Sequence, residues 1–110
     1  MNFGNELALA IGKAATILPP DVVRALEAAR DREAGPARVQ LEAILENVRI
    51  AREGMVPICQ DTGTITFFVR LGMGFPHLPA LVGALPEAAR LATKAVPLRP
   101  NTVHPFTGKN

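Results

Sequence analysis

Pro57-Ile58-Cys59-Gln60-Asp61-Thr62-Gly63 is the stretch on which the chain turns. It holds the only cysteine, followed at once by an amide, a carboxylate and a hydroxyl, and it closes on a glycine. A helical pattern leads into it and an alternating pattern leads out. A run of reactive side chains at such a junction is where a fold can present chemistry, because a loop can aim groups that regular elements bury.

Upstream, Leu41, Ile44, Leu45 and Val48 recur at i, i+3, i+4 and i+7, the strongest period in the chain. This predicts a helix over residues 37–53, wetted by Glu42, Glu46, Arg49 and Glu53, with Glu46 and Arg49 spaced as a surface pair. Gly54 is placed to end that helix in the left-handed conformation. Before it, residues 6–16 carry Leu7, Ile11, Ala14 and Ala15 on one face. Pro19 and Pro20 then end that helix and begin another, in which Val22, Val23, Leu26 and Ala29 face inward until Gly35 and Pro36 stop it. Asn5 and Asn47 are out of place on these helices. A solvent-facing amide is the default reading of each; the alternative is an amide that tethers the loop at 57–63.

Downstream, Thr64-Ile65-Thr66-Phe67-Phe68-Val69-Arg70-Leu71 alternates and is rich in β-formers, which predicts a half-buried strand with Ile65, Phe67, Val69 and Leu71 facing one way. Residues 81–95 read as a fourth helix that Pro86 would break or weaken. From Val96 the chain is proline-rich and aperiodic, which predicts an extended tail that continues into, or wraps, another part of a protein. The fold class expected is mainly α with a minor β component (α+β): an N-terminal helical bundle, a strand and a further helix. Residues 1–54 are the helical part. Residues 55–110 hold the motif loop, strand, helix and tail.

Composition narrows the function classes. The 110 residues are 48% hydrophobic and 20% charged, ordinary for one small domain or a piece of a larger one. The net charge of +2 comes from arginines and glutamates that alternate along helix faces, so no basic stripe suggests nucleic acid. One cysteine makes no internal disulfide, the N-terminus lacks a basic region before its apolar part, and no apolar run reaches the ~20 residues of a bilayer span. A cytoplasmic protein without membrane or nucleic-acid partners is expected.

Three explanations compete for Cys59: a small buried hydrophobe, a nucleophile, or a metal ligand. The first leads on residue type alone, but the polar neighbours weaken it. A nucleophile would want a histidine base, and His77 and His104 both read as ordinary surface histidines in irregular segments. A structural zinc site would want paired Cys and His, which the chain lacks. An iron–sulfur cluster needs several thiolates, so Cys59 would be one corner of it. Gly72-Met73-Gly74 lacks the third glycine of a dinucleotide loop, and Thr107-Gly108-Lys109-Asn110 lacks the upstream glycine of a phosphate loop. Arg99, between Leu98 and Pro100, is a surface arginine by default; a guanidinium on a stiff segment can also clamp a carboxylate with two hydrogen bonds.

Pro57-Ile58-Cys59-Gln60-Asp61-Thr62-Gly63 resembles the motif of the class I, iron–sulfur-dependent fumarate hydratases and the related L-tartrate dehydratase α chains. Leu45-Glu46-Asn47, Ala51-Arg52-Glu53 and Val56-Pro57 are similar to the family's lead-in helix. Leu98-Arg99-Pro100-Asn101 and Pro105-Phe106-Thr107-Gly108-Lys109-Asn110 are similar to its downstream segment. The likeness runs from about residue 40 to the end; residues 1–35 are compatible but generic.

The resemblance implies a hydro-lyase that adds water to, or removes it from, a small dicarboxylate, fumarate and malate first, with L-tartrate or another hydroxy-diacid as the alternative. It implies a [4Fe–4S] cluster on three cysteines with one open iron, Cys59 being the first ligand. By the same resemblance Gln60 and Asp61 reach the substrate, Asp61 handles a proton or holds the hydroxyl, and Arg99 grips a carboxylate. The two other cluster cysteines are absent from these residues. The chain is therefore expected to be an N-terminal part of such an enzyme, to hold no cluster alone, and to partner the rest of the α domain and a β domain or subunit in a homo- or hetero-oligomer. The runner-up from another class is a non-catalytic helical interaction domain that docks through the Cys59 loop and tail.

Overall fold

The computed structural model describes residues 3–59, 65–99 and 103–109. Four α-helices run through them: α1 (Phe3–Thr16), α2 (Pro20–Arg32), α3 (Gly35–Gly54) and α4 (Leu78–Ala95). The chain divides into two compact units, Gly12–Gln60 and a second made of Met1–Ile11 with Asp61–Asn110.

The Gly12–Gln60 unit is a helical hairpin closed by a loop. Pro19 caps α2, Pro20 opens it, Asp21 sits in its first turn, and Arg30 and Arg32 lie in its last, each sign matched to the helix dipole. Glu33 and Ala34 are extended. Gly35 then takes φ +58 and, with Pro36, opens α3. The two residues read as a stop signal therefore act as a start signal, because α2 already ends at Arg32. Only glycine adopts that φ without strain.

α2 and α3 are the pair of helices in broad contact among the described residues, so the expected bundle is here a two-helix hairpin. Val48 and Ala51 of α3 are buried with Ile58 of the loop, and Leu18 and Val23 pack against them. Val22 and Ile44, expected inward, are exposed at the edges of the stripe. At the start of the unit Ala15 and Thr16 are buried while Ala14 faces out. The Thr16 hydroxyl, 0% exposed, donates to the Gly12 carbonyl at 2.9 Å and so is not an unsatisfied buried group. Outside, Glu46 and Arg49 make the expected pair at 2.7 Å, and Arg49 also bonds Glu53. The hydrogen bonds that Arg49 donates to the Glu46 and Glu53 carboxylates raise its pKa, and Arg49 holds the Glu46 carboxyl below its ordinary value.

In the other unit, Leu81, Ala88 and Ala92 form the buried stripe of α4, continued by Val96 beyond its end. Pro86 does not break the helix. Its missing N–H would have met the Val82 carbonyl, and both residues lie on the exposed side, where water can serve that carbonyl. His77 caps α4 and stands edge-on to Phe75 at 5.9 Å, with Phe3 at 6.2 Å from Phe75.

The strand expected over 64–71 is not found. Thr64 lies outside the described residues, and 65–71 form no regular element. Ile65, Val69 and Leu71 are exposed and Phe67 is half-buried, so the alternation yields no apolar face. A strand exists only as a pair, because its N–H and C=O groups need a ladder, and no strand is present among the described residues to supply one. The tail is not uniformly extended either. Residues 105–107 turn, and the ends are tied by Gly108 N–H to the His104 carbonyl at 2.9 Å and His104 N–H to the Lys109 carbonyl at 2.8 Å.

Candidate functional site

The geometry around Cys59 begins at the end of α3. The left-handed residue that ends the helix is Met55, at φ 51 and ψ 39, in place of the expected Gly54, which is still helical. Val56 N–H then donates to the Ala51 carbonyl at 3.2 Å, the six-to-one bond that turns a chain back along its own helix. Ile58 donates its N–H to the Ala15 carbonyl at 2.9 Å and buries its side chain against Val48 and Ala51. Cys59 donates its N–H to Oδ1 of Asn47 at 2.8 Å. Two successive backbone N–H groups are thus pinned, one to the end of α1 and one to the middle of α3.

Asn47 is accordingly a tether and not the solvent-facing amide taken as the default. The signal was present in the sequence: an amide inside the most regular helical pattern is a poor helix former unless its side chain bonds something. Ala15 and Met55 carried no such signal, since a carbonyl has no residue type and a methionine is not a usual left-handed residue.

Cys59 is free and exposed, so it is not the small buried hydrophobe of its leading sequence reading. Neither histidine is shown as its base. His77 packs in the aromatic group of the other unit, and Nδ1 of His104, also there, accepts the Phe106 N–H at 3.3 Å. Of the remaining site residues, Gln60 and Asp61 lie outside the described residues. Arg99 is exposed, belongs to the second unit, and follows a tight turn in which Leu98 N–H donates to the Val96 carbonyl at 2.7 Å.

The donor chemistry fits one corner of an iron–sulfur cluster. An exposed thiol on a loop whose backbone is bonded to two helices can reach a metal outside the fold without losing its direction. It does not fit a whole cluster, which takes several thiolates: the chain has one cysteine, and among the described residues no three His, Cys, Asp or Glu converge. The groove between α2 and α3 does not serve as a clamp for a diacid, since its lining sets the carboxylates of Glu27, Glu42, Glu46 and Glu53 among Arg24, Arg30, Arg49 and Arg52, and Arg49 is already bonded to Glu46 and Glu53. Among the described residues no helix is long and apolar enough to cross a membrane.

The loop thus defines a helical support that presents a thiol donor. A sequence model described as fumarate hydratase (Fumerase) matches residues 5–110, and the chain belongs to that family. It is 42% identical over 101 residues to a putative L(+)-tartrate dehydratase subunit alpha of Methanocaldococcus jannaschii, covering 89% of this chain and 35% of that protein. It is 39% identical over 102 residues to a putative fumarate hydratase class I of Geobacillus stearothermophilus, covering 91% of this chain and 20% of that protein. With the L(+)-tartrate dehydratase subunit alpha of Escherichia coli K12 the identity is 39% over 100 residues, covering 86% of this chain and 33% of that protein. The chain therefore spans about a third or less of the length of these relatives.

Proposed function

We infer that these 110 residues are the N-terminal part of an iron–sulfur hydro-lyase acting on a small dicarboxylate, fumarate and malate being the substrate pair. The observation that carries this reading is the anchored, exposed thiol of Cys59 in a chain of the fumarate hydratase family.

Cys59 would hold one corner of a [4Fe–4S] cluster, and thiolates from outside these residues would hold the others. When bound, such a cluster supplies an open iron that takes up the charge of the departing hydroxide. The chain's own residues do the rest. Asp61 carries a proton to or from the substrate or orients its hydroxyl. Gln60 donates or accepts a hydrogen bond at the same end of the substrate. Arg99 clamps a carboxylate with two parallel N–H bonds, fixing the diacid against rotation.

A second reading is favoured by the names of two of the relatives: an α subunit of an L(+)-tartrate dehydratase, with a β subunit as partner. The two readings share every residue role above and differ in the substrate and in the β subunit that the second one names. The test is to assay the anaerobically prepared full-length protein with fumarate, L-malate and L-tartrate. Fumarate hydration at least tenfold faster than tartrate dehydration supports the first reading; the reverse order replaces it with the second. Asp61→Asn should lower kcat by ~10²-fold or more, and an unchanged kcat removes Asp61 from the reaction.

A further inference from the structure

A cysteine on a loop just past a helix end would ordinarily have soft backbone torsions, and its thiolate would sweep a wide cone. Cys59 does not stand on such a loop. Ile58 is fixed by its bond to Ala15 and by its buried side chain, so the chain enters Cys59 from a defined direction. The remaining freedom is rotation of the Cys59 peptide, and the 2.8 Å bond from its N–H to Asn47 Oδ1 removes it.

We propose that Asn47 is a positioning residue for Cys59: its side-chain oxygen holds the cysteine's N–H and so sets the direction from which the thiolate meets iron. This rests on the reading of Cys59 as a cluster ligand.

Three features on the helix support it. Asn47 lies twelve residues before the group it holds, so the bond is not a local turn formed by any Asn near a backbone amide. It is half-buried and stands one turn from Ala51, whose carbonyl accepts the Val56 N–H; both bonds hold the same returning segment to α3. A leucine, glutamine or arginine would suit the helix better at this position. An asparagine here gives up helix propensity, and what it gains is a short, stiff acceptor of the reach this bond needs. Outer-shell partners of this kind typically change metal retention ten- to a hundredfold when removed, because an unheld ligand leaves more easily.

The test uses the full-length protein, reconstituted anaerobically, with Asn47→Leu, Asn47→Asp and Asn47→Gln. Leucine keeps the branched shape and removes the acceptor; aspartate keeps an acceptor in place; glutamine keeps the amide and moves its oxygen one methylene outward. Two readouts are taken: hydrogen exchange of the Ile58 and Cys59 amides, and the rate of iron release to a chelator. Asn47→Leu should lose protection at Cys59 while keeping it at Ile58, and release iron at least ~10-fold faster than wild type. Asn47→Asp should restore both readouts. Release from Asn47→Leu at the wild-type rate, or from Asn47→Asp as fast as from Asn47→Leu, would overturn the proposal. If Ile58 also loses protection in Asn47→Leu, Asn47→Gln decides: faster release supports the positioning role, and wild-type release refutes it. Cys59→Ser separates the two ideas. Full iron retention in that variant removes the ligand reading; loss there beside unchanged Asn47 variants removes the positioning role alone.

Discussion

Replacing Ile58 by alanine tests whether the motif loop is part of the folded hairpin or merely rests on it. Ile58 is 9% exposed and packs with Val48 and Ala51. The substitution deletes three carbons from that cluster. At ~0.8 kcal/mol for each buried CH₂ the transfer loss is about 2.4 kcal/mol. A cavity would add to this, but the site borders the half-buried Leu18 and Val23, which can close over it, so the total stays near the lower end of the 2–5 kcal/mol range for such truncations. The backbone bond from Ile58 N–H to Ala15 survives the change. Urea unfolding followed by far-ultraviolet circular dichroism should show a loss of about 2–3 kcal/mol at an unchanged slope. Ile65→Ala, at an exposed position outside any regular element, is the control and should stay within ~0.5 kcal/mol of wild type. A loss below ~0.5 kcal/mol for Ile58→Ala would mean that the loop does not share the hairpin's core.

Gly35→Ala should cost about 1–2 kcal/mol by the same assay, because φ is +58 there while nothing lies within 4 Å of the added carbon; the penalty is backbone strain alone. Pro86→Ala should stabilise by about 2 kcal/mol: roughly 3 from the restored bond to Val82 and relief of the ring clash, less up to ~1 for a freer unfolded chain. Acidification should weaken the helices. Hydrogen bonds from Arg30, Arg49 and Arg90 hold the carboxyls of Asp31, Glu46 and Glu87 below their ordinary values. That contribution is therefore present above the unfolded carboxylate range and lost as pH falls through the lowered folded values. Helical ellipticity followed through an acid titration should fall there, and by less at 1 M salt, since these pairs are exposed and screened.

Much of this fold was legible because helices announce themselves locally. The spacing of Leu41, Leu45 and Val48 marked the core stripe of α3, and Pro20 and Asp21 marked the start of α2. What failed is what depends on a partner. The alternation over 64–71 says which side chains share a face, but not whether a second strand exists to pair with. Pro86 looked like a breaker because sequence shows the lost N–H and not the exposed carbonyl that tolerates the loss. Gly54 was the natural left-handed residue, yet the helix runs through it and Met55 bears the strain. Of the candidate site, the residue types at Cys59, Gln60, Asp61 and Arg99 drew the eye, and the motif pointed to the family that the whole-chain match shows. The support beneath Cys59 was half-visible: Asn47 stood out as an amide in a helix, whereas its partner, a backbone N–H twelve residues on, has no signature in the sequence.

The central claim is that Cys59 stands ready as one ligand of a shared cluster. The measurement that meets it most directly is iron and acid-labile sulfide per chain in the full-length protein, reconstituted anaerobically as wild type and as Cys59→Ser, with circular dichroism to confirm that both are folded. The account predicts about four irons and four sulfides in the wild type, and loss of most of both in the serine variant with helix content unchanged. A folded Cys59→Ser protein that keeps the wild-type iron and sulfide would contradict it.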